Sequence, residues 1–118
     1  MKAKRFVLVA FFVMVMVAMA AHAANKIPGQ STSAGPAAAS FKNKLYCVYK
    51  ANDPKTNAIW VTSTSDGEKW TGYKIPGQST SAGLAAASFK DKLYCVYKAN
   101  DRSNAIWVTF TSDGANWK

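Results

Sequence analysis

The sequence predicts an all-β fold, and three observations carry that expectation. A segment of about 47 residues occurs twice, with 37 of 44 aligned positions identical. Each copy holds short runs dense in β-branched and aromatic residues, which suit a pleated, half-buried surface. Those runs are bounded by Asn, Asp, Gly and Pro, the residues that turn a chain between strands.

The leading residues stand apart. Lys2, Lys4 and Arg5 precede an uncharged apolar run from Phe6 to Ala21, followed by Ala21-His22-Ala23. This is the charged start, apolar centre and small-residue cleavage site of a secretory signal peptide, residues 1–23. The apolar run is 16 residues long, short of the ~20 needed to span a bilayer, so stable membrane insertion is not expected. Export to the periplasm or the medium is. Residues 24–118 contain no His and no Met, and twelve cationic side chains oppose six acidic ones, a net charge of +6. A basic exported protein attracts anionic polysaccharide or headgroups by Coulomb forces. The lysines equally suit a solvated, soluble surface. No clustered basic face points to nucleic acid.

The repeat is read in order. Lys26-Ile27-Pro28-Gly29-Gln30-Ser31-Thr32-Ser33-Ala34-Gly35 recurs letter for letter at Lys74 to Gly83. Ala37-Ala38-Ala39-Ser40-Phe41 recurs from Ala85; its alanines favour helix intrinsically, but its brevity and its loop-and-strand flanks predict a strand. Lys44 to Lys50 is a second strand and Ala58 to Thr64 a third. Ser65-Asp66-Gly67 supplies a turn in which Gly tolerates positive φ. Trp70 to Ile75 is the fourth strand, stopped by Pro76-Gly77. The repeat boundaries are placed at residues 24–73 and 74–118.

Four short strands per repeat at a period of 40–50 residues is the arrangement of a β-propeller blade. The repeats resemble those of bacterial propeller lectins of the Photorhabdus fucose-binding type and, more loosely, tectonin-like lectins. The resemblance rests on Ile27-Pro28-Gly29-Gln30-Ser31-Thr32-Ser33-Ala34-Gly35-Pro36-Ala37, on Phe41 with Lys44-Leu45-Tyr46, on Ile59-Trp60, and on Ser65-Asp66-Gly67 with Trp70. It implies a secreted carbohydrate-binding protein, fucose selectivity included, with multivalent sites between blades. The Asp-Gly-x-x-Trp element is similar to the Asp-box of sialidase propellers, although here Asp66-Gly67 and Asp113-Gly114 are adjacent.

Two blades do not close a propeller, which typically has four to eight. Three outcomes stay open: homo-oligomerisation, as a trimer or tetramer, into a six- or eight-bladed ring; a fragment of a longer array; or a solenoid-like stack. Ala24-Asn25-Lys26-Ile27 corresponds to the end of the strand that Trp117-Lys118 begins, so one copy's N-terminal segment is expected to complete a neighbour's last blade.

Catalysis is not expected. Residues 24–118 carry one Glu, Glu68, replaced by Ala115 in the other copy. Glycoside hydrolysis generally needs two carboxylates about the scissile bond, and a Ser-His-Asp arrangement needs a His. Asp53, Asp101, Asp66 and Asp113 sit in turn contexts, where Asp bonds its own backbone. No metal-ligand cluster or cofactor motif is present. Cys47 and Cys95 occupy equivalent positions, usually too far apart on neighbouring blades for a disulfide, and are expected as buried free thiols. Binding is the better prospect. Trp60 and Trp107 offer faces for sugar stacking, or else fill the gaps between blades; Trp70 and Trp117 are expected to be structural. Asn57 and Asn104, with Lys50, Asn52, Lys98 and Asn100, are the candidate polar contacts. The partners expected are glycans, fucosylated or anionic.

Overall fold

The structure is a computed structural model that describes residues 24–118. The expected signal peptide, residues 1–23, lies outside the described residues. No helix among the described residues is long and apolar enough to cross a membrane. The fold is all-β. Six antiparallel strands follow one another in a single curled, half-barrel sheet: β1 (Ala37–Phe41), β2 (Lys44–Lys50), β3 (Ala58–Thr64), β4 (Thr71–Phe89), β5 (Lys92–Ala99) and β6 (Ile106–Thr111).

The first three strands begin and end where the residues suggest. Ala37–Phe41 is a strand despite its alanines, because it pairs along its whole length with β2, from Ala37 opposite Val48 to Phe41 opposite Lys44. The two-residue turns Lys42-Asn43 and Lys90-Asp91 have positive φ at both positions, the twist that a tight hairpin needs.

The fourth strand differs from expectation. It does not stop at Pro76-Gly77 but runs on for 19 residues. Its first part pairs with β3, with Trp60 opposite Lys74; its last part pairs with β5, with Ala86 opposite Cys95. Between Lys74 and Ser79 the register with β3 slips, and Gly77 takes φ +73° there. Pro76-Gly77 therefore forms an irregularity within the strand, where a missing N–H and a positive φ are tolerated. The two repeats share this one strand, its first part belonging to the pairing of the first repeat and its last part to that of the second.

Successive side chains in a strand point to opposite faces, so each half of the sheet has two. The front of the first repeat carries Tyr46, Val48, Ile59 and Val61; its back carries Leu45, Cys47 and Tyr49. In the second repeat the corresponding front residues are Tyr94, Val96, Ile106 and Val108, and the back residues Leu93, Cys95 and Tyr97. The core forms where the first repeat's front meets the second repeat's back, with Ile75 enclosed and Leu84, Ala86, Tyr73 and Trp117 packed against it. Burying each of the larger aliphatic side chains contributes about 1.5–3 kcal/mol.

The seam is also polar at its rim. The Tyr73 hydroxyl donates to the Gly114 carbonyl at 2.5 Å, and the Trp117 indole N–H donates to that hydroxyl at 2.8 Å. Cys95 is fully buried in the seam and Cys47 half-buried; both are free thiols. Burial pushes the Cys95 thiol up to about 12, so it remains protonated at neutral pH and reacts poorly.

Candidate functional site

The same small cavity occurs in both repeats. Tyr49 lies directly opposite Trp60 in the β2–β3 register, and Tyr97 opposite Trp107 in the β5–β6 register. Both rings therefore stand on one face at the end of their strands. The loop after β2 closes the cavity with Asn52 and Asp53, and the preceding segment supplies Gly29, Gln30 and Ser31. In the second repeat Asn100, Asp101, Gly77, Gln78 and Ser79 occupy the equivalent places. The volumes are about 340 and 230 Å³. The first cavity has an additional wall, Lys74, and the second has no counterpart of it.

Each cavity is locally fixed. The Tyr49 hydroxyl donates to Gln30 Oε1, and the Tyr97 hydroxyl donates to Gln78 Oε1. Burial first, and the adjacent cysteine second, hold both phenols above their ordinary pKa, so they stay protonated donors. The Thr32 hydroxyl donates to the Lys50 carbonyl at 2.7 Å, and Thr80 repeats this with Lys98 at 2.8 Å. These bonds pin the Pro-Gly-Gln-Ser segments across the strand ends. Asp53 accepts from the Lys55 N–H at 3.0 Å, and Asp101 from the Ser103 N–H at 2.8 Å. Those local bonds shape the loops that carry Asn52 and Asn100.

Trp60, Asn52, Trp107 and Asn100 are thus brought into the two cavities. Asn57 stands at the seam, its Nδ2 donating to Asn100 Oδ1 at 3.1 Å, and so orients a residue of the second cavity. Asn104 is exposed and lines neither cavity. Lys50 and Lys98 also lie outside them. Each follows a cavity tyrosine by one residue and points to the other face, where Lys50 Nζ donates to Ser33 Oγ at 2.7 Å and Lys98 Nζ to Ser81 Oγ at 3.4 Å. Gln30 and Gln78 were not among the expected site residues. Their recurrence is shared with nearly the whole repeat, so no feature of the sequence singled them out; the fold brings each to its tyrosine.

The cavities present one indole ring each, half-buried at Trp60 and exposed at Trp107, with amide groups, a carboxylate and a hydroxyl. In its chemistry that combination matches a small polyhydroxylated ligand, with a C–H face for the ring and hydroxyls for the polar rim. A larger cleft, about 650 Å³, lies where the turns Lys42-Asn43 and Lys90-Asp91 meet. We place the site in the smaller cavities because they recur with the repeat and offer a tryptophan face. In the cleft, Lys42 and Lys90 lie over Phe41 and Phe89, 5.5 and 5.3 Å from the ring centres.

The carboxylates of the Asp-Gly turns are occupied by their own backbone. Asp66 Oδ1 accepts from the Glu68 and Lys69 N–H groups at 2.8 and 2.9 Å and from the Thr64 hydroxyl at 2.9 Å. Asp113 repeats this with Ala115, Asn116 and Thr111. Backbone N–H donors hold both carboxyls below the usual carboxylate range, far from the near-neutral values that suit acid–base catalysis. Among the described residues no three His, Cys, Asp or Glu side chains gather into a metal-binding group. No protein-family model matches the chain, and neither the curated proteins nor the solved structures include a significant match to it.

Proposed function

We propose that this chain is an exported, non-enzymatic carbohydrate-binding protein, with one sugar site in each repeat at the Trp60 and Trp107 cavities. The observation that carries this reading is the recurrence of one aromatic-and-amide cavity in both halves of the molecule, with equivalent Gly, Gln, Ser, Tyr, Asn, Asp and Trp residues lining each. The resemblance of the repeats to fucose-binding propeller lectins makes methyl α-L-fucoside the first ligand to test, with a neutral and anionic glycan panel beside it. Repeated shallow sites suit multivalent attachment, in which avidity exceeds single-site affinity by ~10²–10⁴. The basic charge of residues 24–118 further favours anionic glycan surfaces.

The test is calorimetric titration of the purified protein, with glycan-array screening to choose the sugar. Binding at two sites per chain is expected, with Trp60→Ala and Trp107→Ala each removing one. A folded protein that binds no member of the panel overturns the reading. Retention of both sites in the double variant overturns the placement. A structural or self-associating repeat is the second reading, favoured by the apolar face that the second repeat leaves uncovered.

A further inference from the structure

The seam between the repeats is built from one front and one back, and the chain is left with one more of each. On the first repeat's front, Val48, Ile59 and Val61 are 0% exposed; their counterparts Val96, Ile106 and Val108 are 40%, 79% and 57% exposed. On the backs the asymmetry reverses. Leu93 and Cys95 are fully buried, whereas Leu45 is 42% exposed and Cys47 half-buried. The uncovered surfaces are therefore near-copies of two surfaces already packed together within the chain.

We propose that a second copy of this chain docks the back of its first repeat onto the front of the second repeat, reproducing between copies the seam that joins the repeats. Three details of the covered seam have vacant equivalents. At the seam, Tyr46 lies against the Gly114 turn, where an added Cβ would run into its hydroxyl; the space at Gly67, the equivalent turn, is open. Tyr94, the equivalent of Tyr46, is the ring that would fill it. A largely apolar cavity of about 140 Å³, lined in part by Ile27, Pro36, Cys47 and Tyr49, opens on the uncovered back. At the seam the corresponding Ile75, Leu84, Cys95 and Tyr97 belong to the core or pack against it. Finally, β6 is the last strand of the sheet, paired on its outer side only near Phe110 and Thr111 among the described residues.

That last feature gives the docking its register. Trp60 is paired with Lys74, and Lys26 is the residue equivalent to Lys74. The segment Asn25–Ile27 of the second copy thus adds to the outer edge of β6, with its Lys26 opposite Trp107. The second cavity then gains the wall that Lys74 gives the first. The second front is also more apolar than the first, because Phe110 stands where the first repeat has Ser63. Contact of a front with a different surface, a back, is heterologous and leads to a closed ring or an open chain of copies. Three or four copies would provide six or eight repeats.

The docking surfaces do not depend on what the cavities bind, so the test is one of assembly. Light scattering of the purified protein should give a species larger than a dimer. Val108→Glu on the front and Leu45→Glu on the back should each give a folded monomer by circular dichroism. Mixing the two variants should give a one-to-one heterodimer and nothing larger, since one intact front and one intact back remain. A folded wild-type monomer, a symmetric dimer, or assembly that survives in both variants overturns the proposal. Should either variant fail to fold, thiol labelling of the wild type decides. Cys47 should be protected like Cys95 when assembled and become at least ten-fold faster on dilution to the monomer. Equal, fast labelling of Cys47 at all concentrations overturns the proposal.

Discussion

The two repeats are nearly the same sequence in two different environments. Ile59 and Ile106 sit at equivalent places, one 0% and the other 79% exposed. The difference is made by the neighbour each strand meets and owes nothing to the strand itself. A β-run with apolar residues on both faces, such as Leu45-Tyr46-Cys47-Val48-Tyr49, asks to be covered twice, and within one chain each repeat is covered once.

Four measurements break or sharpen that comparison. The largest effect is expected from Ile59→Ala, about 2–5 kcal/mol of lost stability because a cavity opens in the seam. Ile106→Ala should cost within about 0.5 kcal/mol in the single chain, as for an exposed site. Urea unfolding at low protein concentration checks both, and equal losses would abolish the distinction between the fronts.

The glycine turns come next. Gly67 and Gly114 have φ of +81° and +82°, so alanine at either pays the left-handed penalty of about 1–2 kcal/mol. At Gly114 the new methyl must also displace Tyr46, adding about 1–3 kcal/mol of overpacking. Thermal unfolding should therefore separate Gly114→Ala from Gly67→Ala.

A smaller and symmetric effect is expected from Tyr49→Phe and Tyr97→Phe. Each loses one hydrogen bond to a glutamine, worth about 0.5–1.5 kcal/mol. Because the two bonds are equivalent, unequal losses in urea unfolding would show that the cavities are held differently.

The smallest effect concerns acid. The carboxyls of Asp66, Asp101 and Asp113 lie below the ordinary value of 3.8 in the folded chain. Their stabilisation is therefore present above the unfolded value and lost as pH falls through the lower folded values. The melting temperature should decline below about pH 4, and Asp66→Asn with Asp113→Asn should flatten that decline. These side chains are exposed, so the acid slope should be shallow.

Much of the strand pattern was legible because composition and turns agree. Lys44–Lys50 and Ala58–Thr64 combine β-formers with flanking Asn, Asp and Gly, and both fold as expected. The run through Pro76-Gly77 was not legible: those residues end strands in most contexts, and only pairing to β3 on one side and β5 on the other carries the chain through. In the cavities, Trp60 and Asn52 could be found from residue type and proximity. Lys50 could not be separated from them, since one step along a strand reverses a side chain's face and only the register decides which face matters. The Gln30–Tyr49 bond joins residues 19 apart, a distance at which no local pattern announces contact.

Strand β4 has a consequence for how the molecule comes apart. Its 19 residues are hydrogen-bonded to β3 at one end and to β5 at the other. Neither repeat can melt without stripping half of a strand that the other half still holds. In repeat arrays, stability is a sum of unit and nearest-neighbour terms; here the coupling includes a shared covalent strand as well as a packed seam. Heat should dissolve both repeats in one transition, and pulling on the chain from its two ends should meet a single mechanical yield point.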